Sequence, residues 1–254
     1  MALALGLYRN DFVLVGGWVP YFLTRPYVEH CGSVDIDLVL RPSIVVRYES
    51  IRKLVIDLGY QPTDNPFRFE RELVALDGTP FPMHLDFLTE PEAKDQAEAL
   101  LRVQNDLQAV FIPGCSIVFT FSYSQAVEGV LPSGGGGSAD IGISDIVGAL
   151  TMKGLALGRP GKLEKDSYDI YVLAGFHGGT PYEAALSFNR LIKTLGSGTI
   201  PSVAVRALRK IRSGFESPNS YASQAASRFV EEDISVDASE RVSTFLSQLF
   251  PPVE

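Results

Sequence analysis

The chain has 254 residues, 46% hydrophobic and 20% charged, the make-up of an ordinary globular protein able to bury a sizeable core. Its 22 Lys and Arg against 30 Asp and Glu give a formal charge of −8, which argues against a protein that passively coats nucleic acid. Two cysteines, Cys31 and Cys115, are too few for a disulfide framework and read as reduced thiols. The apolar start, MALALGL, lacks a basic region and is soon interrupted by Arg9 and Asp11, so it reads as a first helix or strand rather than a signal peptide. No apolar run approaches the ~20 residues that span a bilayer. A cytoplasmic protein without a membrane partner is the expectation.

Asp11 to Val15 reads as a strand that ends at Gly16-Gly17. Paired glycines let the backbone approach a phosphate closely or turn sharply into a helix. A helix is expected over Trp18 to Leu23 with Pro20 in its first turn, then a loop carrying Arg25, His30 and Cys31. Next comes Val34-Asp35-Ile36-Asp37-Leu38-Val39-Leu40, stopped by Arg41-Pro42. Side chains two apart on a strand share a face, so Asp35 and Asp37 stand together while Ile36 and Leu38 face the core. Two adjacent like charges repel. A hard divalent cation is their natural compensation.

Ser43 is expected to cap a helix to about Leu58, closed by Gly59. Phe67 to Leu76 and Met83 to Leu88 read as strands joined by Asp77-Gly78-Thr79-Pro80. On the second, His84 and Asp86 share one face. The acidic stretch from Glu90 to Asp106 reads as partly helical, and Val110 to Ile112 and Ile117 to Phe121 as short strands around Pro113-Gly114. The run Gly134 to Gly137 is followed by no Lys-Ser or Lys-Thr, so it is a surface loop and not a phosphate-binding P-loop. It marks a change of domain character. Helices follow from Ser144 to Gly158, Lys165 to Gly175, Pro181 to Leu195, Pro201 to Arg212, Ser220 to Glu232 and Ser235 to Leu249.

Two of these helices carry chemistry. Ile146, Leu150, Lys153 and Leu157 fall on one face, and a lysine in a core stripe needs a partner or a functional anion. Asp166 and Asp169 are neighbours on the next helix, and an Asp beside Ile170, Val172 and Leu173 needs a cation, for which Lys153 is a candidate. Arg159, Lys162 and Lys165 surround the turn between the helices, which suits polyphosphate. His84, Asp86, His30 and Cys31 show no zinc-site spacing. His84 reads as a partner on the carboxylate face, His177 as a loop residue and Trp18 as core. Arg190, Lys193, Arg206, Arg209, Lys210 and Arg212 form either a solvated basic face or an RNA contact surface.

Taken in order, Gly16-Gly17, Asp35-x-Asp37, Asp86, Met152-Lys153 and Lys165-Asp166-Ser167-Tyr168-Asp169 resemble the nucleotidyltransferases of the DNA polymerase β superfamily, in the branch of the AbiEii/AbiGii-type toxins. The resemblance covers roughly residues 12 to 175. It departs from the family in the long gap between Gly17 and Asp35 and in a Gly where a Ser often stands second in the turn. What it implies is an α/β (α+β) nucleotidyltransferase core with a mixed sheet over residues 1–138, followed by a helical domain over 139–254 that completes the nucleotide site in the cleft between them. It implies Mg²⁺ or Mn²⁺ held by Asp35, Asp37 and Asp86, with Asp86 as general base. Gly16, Gly17, Lys153, Arg159, Lys165 and Asp166 would bind the nucleoside triphosphate, and Asp169 would orient Lys153 or the nucleotide. The implied activity is transfer of a nucleoside monophosphate to a hydroxyl of RNA, especially a tRNA end, or of a protein, in a toxin with an antitoxin partner or a phage-defence system. A small-molecule nucleotidyltransferase of the antibiotic-modifying kind, and a catalytically silent nucleotide-binding protein, are the alternatives.

Overall fold

The computed structural model describes every residue except 76, 92–98, 131–133, 251, 253 and 254. The chain is α/β, with a mixed nine-stranded sheet, eight α-helices and a helical C-terminal region among the described residues. It divides into two compact units. One comprises Met1–Trp18 with Ser33–Ser144, and the other Val19–Gly32 with Asp145–Glu254. The division thus falls after Ser144 rather than after 138, and the segment from Val19 to Gly32 belongs with the helices. No helix among the described residues is long and apolar enough to cross a membrane.

The strand unit holds β1 (Phe12–Val15), β2 (Asp35–Leu40), β3 (Gln61–Pro62), β4 (Arg68–Val74), β5 (Pro80–Thr89), β6 (Leu100–Gln104), β7 (Leu107–Phe111), β8 (Ser122–Val130) and β9 (Gly136–Ser144). The sheet runs β3-β4-β5-β2-β1-β9-β8, and β7 pairs with the end of β5 and with β6. All four residues of β1 are buried, as expected of a strand covered on both faces. β2 is antiparallel to β1 and parallel to β5, in a register that sets Asp37 opposite Asp86 and Asp35 opposite His84.

Three expectations fail here for identifiable reasons. The helix α2 spans only Ile51–Asp57, capped by Ser50, whose hydroxyl accepts from the Lys53 N–H. The stretch before it is irregular. Val45-Val46 is β-branched and a poor helix former, Tyr48 is 86% exposed, and Arg47 is tied to Asp11 at 2.6 Å and to the Leu7 carbonyl. Residues 115–119 form a 3₁₀ turn and not a strand, because Glu90 accepts from the N–H groups of Gly114 and Ser116 and pins the chain. Of the acidic stretch from Glu90 to Asp106, expected to be partly helical, Leu100–Gln104 is β6 and residues 92–98 lie outside the described residues, as does Leu76. Gly136 and Gly137 open β9, which pairs with β8 along nine positions. Glycine is a weak strand former, so its run conceals the hairpin in the sequence. Leu131 to Ser133 lie outside the described residues.

The helical unit adds most of α1 (Trp18–Thr24), then α3 (Ile146–Ala156), α4 (Leu163–Phe176), α5 (Pro181–Thr194), α6 (Ser202–Gly214), α7 (Tyr221–Val230) and α8 (Ser235–Ser247). Asp145, not Ser144, caps α3, accepting from the Val147 and Gly148 N–H groups, and burial pushes its carboxyl up to about 6. Gly154 lets α3 approach α6, since a Cβ there would meet the Ala207 carbonyl at 2.7 Å. The buried helix α4 packs against α3, α5, α7 and α8, so its polar residues are held among apolar neighbours.

Candidate functional sites in the two units

In the strand unit the carboxylates expected from the sequence lie on adjacent strands. Asp35 and Asp37 share a face of β2, and Asp86 stands on β5 directly across from Asp37. Gly16 follows β1 with φ +74°, and a Cβ on it would collide with the Asp37 carboxylate. The glycine is therefore required twice, by its backbone and by the side chain beside it. Gly17 is buried in the same turn.

Two partners complete this cluster, Arg68, which the sequence reading did not assign, and His84. Arg68, opposite Asp86 on β4, holds it by two bonds, Nε at 2.7 Å and Nη2 at 2.5 Å. The Asp86 hydrogen bonds, with the charges of Asp86, Asp35 and Asp37, raise the guanidinium pKa above its ordinary value. His84 lies 2.9 Å from Asp35 through Nδ1 and 3.2 Å from Glu70 through Nε2. It joins the carboxylate face as expected. The alternation Arg68-Phe69-Glu70 was the available sign that a cation and an acid share the outer face of β4.

The donors here are hard carboxylate oxygens, which suit Mg²⁺ or Mn²⁺ and not a soft metal. Asp35 and Asp37 fit such an ion. Asp86 fits by register, but both its oxygens are engaged by Arg68, and among the described residues no three His, Cys, Asp or Glu side chains converge as a formed metal cluster.

The helical unit contains a different arrangement. Lys153 pairs with Asp166 at 2.7 Å and Asp169 at 2.6 Å. Asp169 is fully buried, and its second oxygen meets His30 Nε2 at 2.9 Å and Lys165 at 3.4 Å. The Gly32 N–H donates to His30 Nδ1 at 3.0 Å, so that nitrogen carries no proton and Nε2–H is the donor to Asp169. Lys165 closes the ring by donating to the Gly32 carbonyl at 3.1 Å. Burial opposes both charges of the central pair. The two aspartates nevertheless outweigh it at Lys153 and raise its pKa, and Lys153, the His30 hydrogen bond and Lys165 outweigh it at Asp169 and hold that carboxyl well below its usual range. Arg159 is exposed on the turn between α3 and α4.

His30 is the member that sequence reasoning missed. It sits 139 residues from Asp169 in a loop without a pattern, and only the packing of that loop with α4 brings the two together. No family model, curated protein or solved structure matches the chain.

Proposed function

We propose that the chain is a metal-dependent nucleotidyltransferase of the kind its motifs resemble, moving a nucleoside monophosphate from a nucleoside triphosphate to an acceptor hydroxyl. The observation that carries this reading is the register that sets Asp37 against Asp86, with Asp35 on the same face and Gly16 giving the backbone room beside it. Like charges so placed disfavour folding unless something binds them. A bound Mg²⁺ or Mn²⁺ would supply charge neutralisation at the triphosphate and activation of the acceptor hydroxyl. Asp35 and Asp37 hold the ion, and His84 fixes the orientation of Asp35. Arg68 holds Asp86, which is free to ligate or take a proton once that pair opens. The turn at Gly16-Gly17 offers backbone close to the phosphates.

The helical unit supports the same reading independently. A buried network of Lys153, Asp166, Asp169 and His30 is not what stability alone selects, because apolar replacements of buried ion pairs are often neutral or stabilising. Its presence favours a positioning role, in which the sealed pairs hold the partly exposed Lys165 and the His30 loop in place toward an anionic ligand. Arg206, Arg209, Lys210 and Arg212 are exposed on α6, a helix with no acidic residue, and favour RNA as the acceptor. A tRNA end as acceptor, or a protein side chain in its place, the toxin role and an antitoxin partner follow from the resemblance.

The test is incubation with α-labelled nucleoside triphosphates, Mg²⁺ and either total RNA or lysate. Label should appear on RNA and vanish with Asp35→Ala and Asp37→Ala. Label on protein or on small molecules would reassign the acceptor. No labelling of any fraction would end the transferase reading.

A further inference from the structure

The helical unit contains a cavity of about 850 Å³, to which the sequence motifs contribute only Tyr168. Its wall is a column of three rings. Tyr168 stacks with His30 at 5.7 Å between centroids and 16° between planes, and with Phe229 at 5.0 Å and 29°. Arg25, Glu29 and Cys31 also line it, and the Arg25 guanidinium lies over the rings of Tyr21 and Phe22 at 5.8 and 5.9 Å. One ring, His30, is the same residue that hydrogen-bonds Asp169 in the Lys153 network.

The composition of this wall narrows what it takes. The ring edges of such a column make an apolar, polarisable wall against which a planar π system packs edge to face. A guanidinium and a carboxylate at the same opening add a donor fork and an acceptor, the two kinds of group that read the edge of a heterocycle. An aliphatic or lipid ligand would need neither. We infer that this cavity binds a nucleobase, packed against the Tyr168–Phe229 wall with its polar edge toward Arg25 and Glu29. The choice of a nucleobase among planar heterocycles rests on the proposed transferase activity. The base would come either from the incoming triphosphate or from the terminal nucleotide of the acceptor.

The test uses the full chain, in EDTA so that no metal contributes. Adenosine, guanosine, cytidine and uridine are titrated by calorimetry, with ribose 5-phosphate as the probe that lacks a base. At least one nucleoside should bind and ribose 5-phosphate should not. Phe229→Leu keeps the apolar volume and should weaken binding about tenfold. Arg25→Ala, at an exposed position, should weaken it severalfold without affecting the fold. Cys31 gives a second readout on the unmodified protein. It is exposed, whereas Cys115 is buried and its thiol is pushed up by burial, so iodoacetamide should label Cys31 alone. A bound nucleoside should slow that labelling severalfold. A single-stranded trinucleotide that displaces the nucleoside assigns the pocket to the acceptor, and nucleoside binding that survives saturating trinucleotide assigns it to the triphosphate. Absence of nucleoside binding and of Cys31 protection would overturn the inference, as would affinities unchanged in both variants. A chain that binds nucleosides and labels nothing keeps this pocket and loses the transferase, and the reverse result keeps the transferase and loses the pocket.

Discussion

In the strand unit four carboxylates, Asp35, Asp37, Glu70 and Asp86, lie on neighbouring strands, with the Arg68 guanidinium on Asp86 and the His84 imidazole between Asp35 and Glu70. In the helical unit two carboxylates, Asp166 and Asp169, meet two ammonium groups, Lys153 and Lys165. Among the six side chains of the first cluster negative charge is in surplus, and they are reachable, Asp35 and His84 each being 20% exposed. The second is balanced and almost sealed, with Asp169 at 0%. On the proposed reading, a reachable surplus takes a cation. A sealed balance is a scaffold that fixes its members whether or not anything binds. The two should therefore respond in opposite ways to the loss of one charge.

The sealed cluster should break hardest. Asp169→Ala strands Lys153 beside Asp166 alone and removes the partner of His30. Breaking a buried pair costs about 3–5 kcal/mol, so the urea midpoint should fall steeply or folding should fail. Asp169→Asn keeps the volume and tests the charge. The folded-state pKa of Asp169 is lowered, so its contribution is present above its ordinary value of 3.8 and fades as pH falls through the folded value. That of Lys153 is raised, so its contribution is present below 10.5 and is lost only as pH rises through the folded value. The stability gap between wild type and Asp169→Asn should thus be flat from about pH 5 to 9 and close in strong acid. A gap independent of pH down to 2 would mean that Asp169 acts by shape and not by charge.

The same contrast explains what could be read from the chain. Asp35, Asp37 and the Lys153–Asp169 pair were legible because strand and helix periods place them by local geometry. The C-terminal helices were legible for the same reason, their amphipathic stripes being strong. Arg68 and His30 were not, because each acts through a pairing with a residue distant in sequence, 18 positions away on the neighbouring strand and 139 positions away on α4. The β8–β9 hairpin was hidden by its glycines. The segment Val19–Gly32, though adjacent in sequence to the Gly-Gly turn, belongs to the other unit, and no local pattern announces that.

Gly16→Ala tests the reachable cluster with an intermediate effect. The variant forces a Cβ into φ +74° and onto the Asp37 carboxylate. Backbone strain and the clash together should cost about 2–3 kcal/mol. Unlike an ordinary core lesion, it should also weaken Mg²⁺-dependent stabilisation, because Asp37 is displaced from Asp35. Gly6→Ala, where nothing lies within 4 Å, is the control and should leave both unchanged.

The smallest change in stability, and the sharpest test of the comparison, is Arg68→Met. Asp86 is 8% exposed and Arg68 27%, so loss of the guanidinium should cost only about 1–2 kcal/mol without metal. Asp86 then loses the guanidinium that engages both of its oxygens. If they form a metal site, Arg68 competes with the ion for Asp86, and its removal should tighten Mg²⁺ binding. Thermal melts at constant ionic strength should show the variant below wild type in EDTA and gaining more than wild type as Mg²⁺ is added, in the manner of a ligand that binds only the folded state. The same experiment on Asp169→Asn should show no gain beyond that of wild type, since that charge is already balanced. Equal Mg²⁺ responses in wild type and Arg68→Met would mean that Arg68 is a permanent counter-ion to Asp86, and that any ion rests on Asp35 and Asp37 alone.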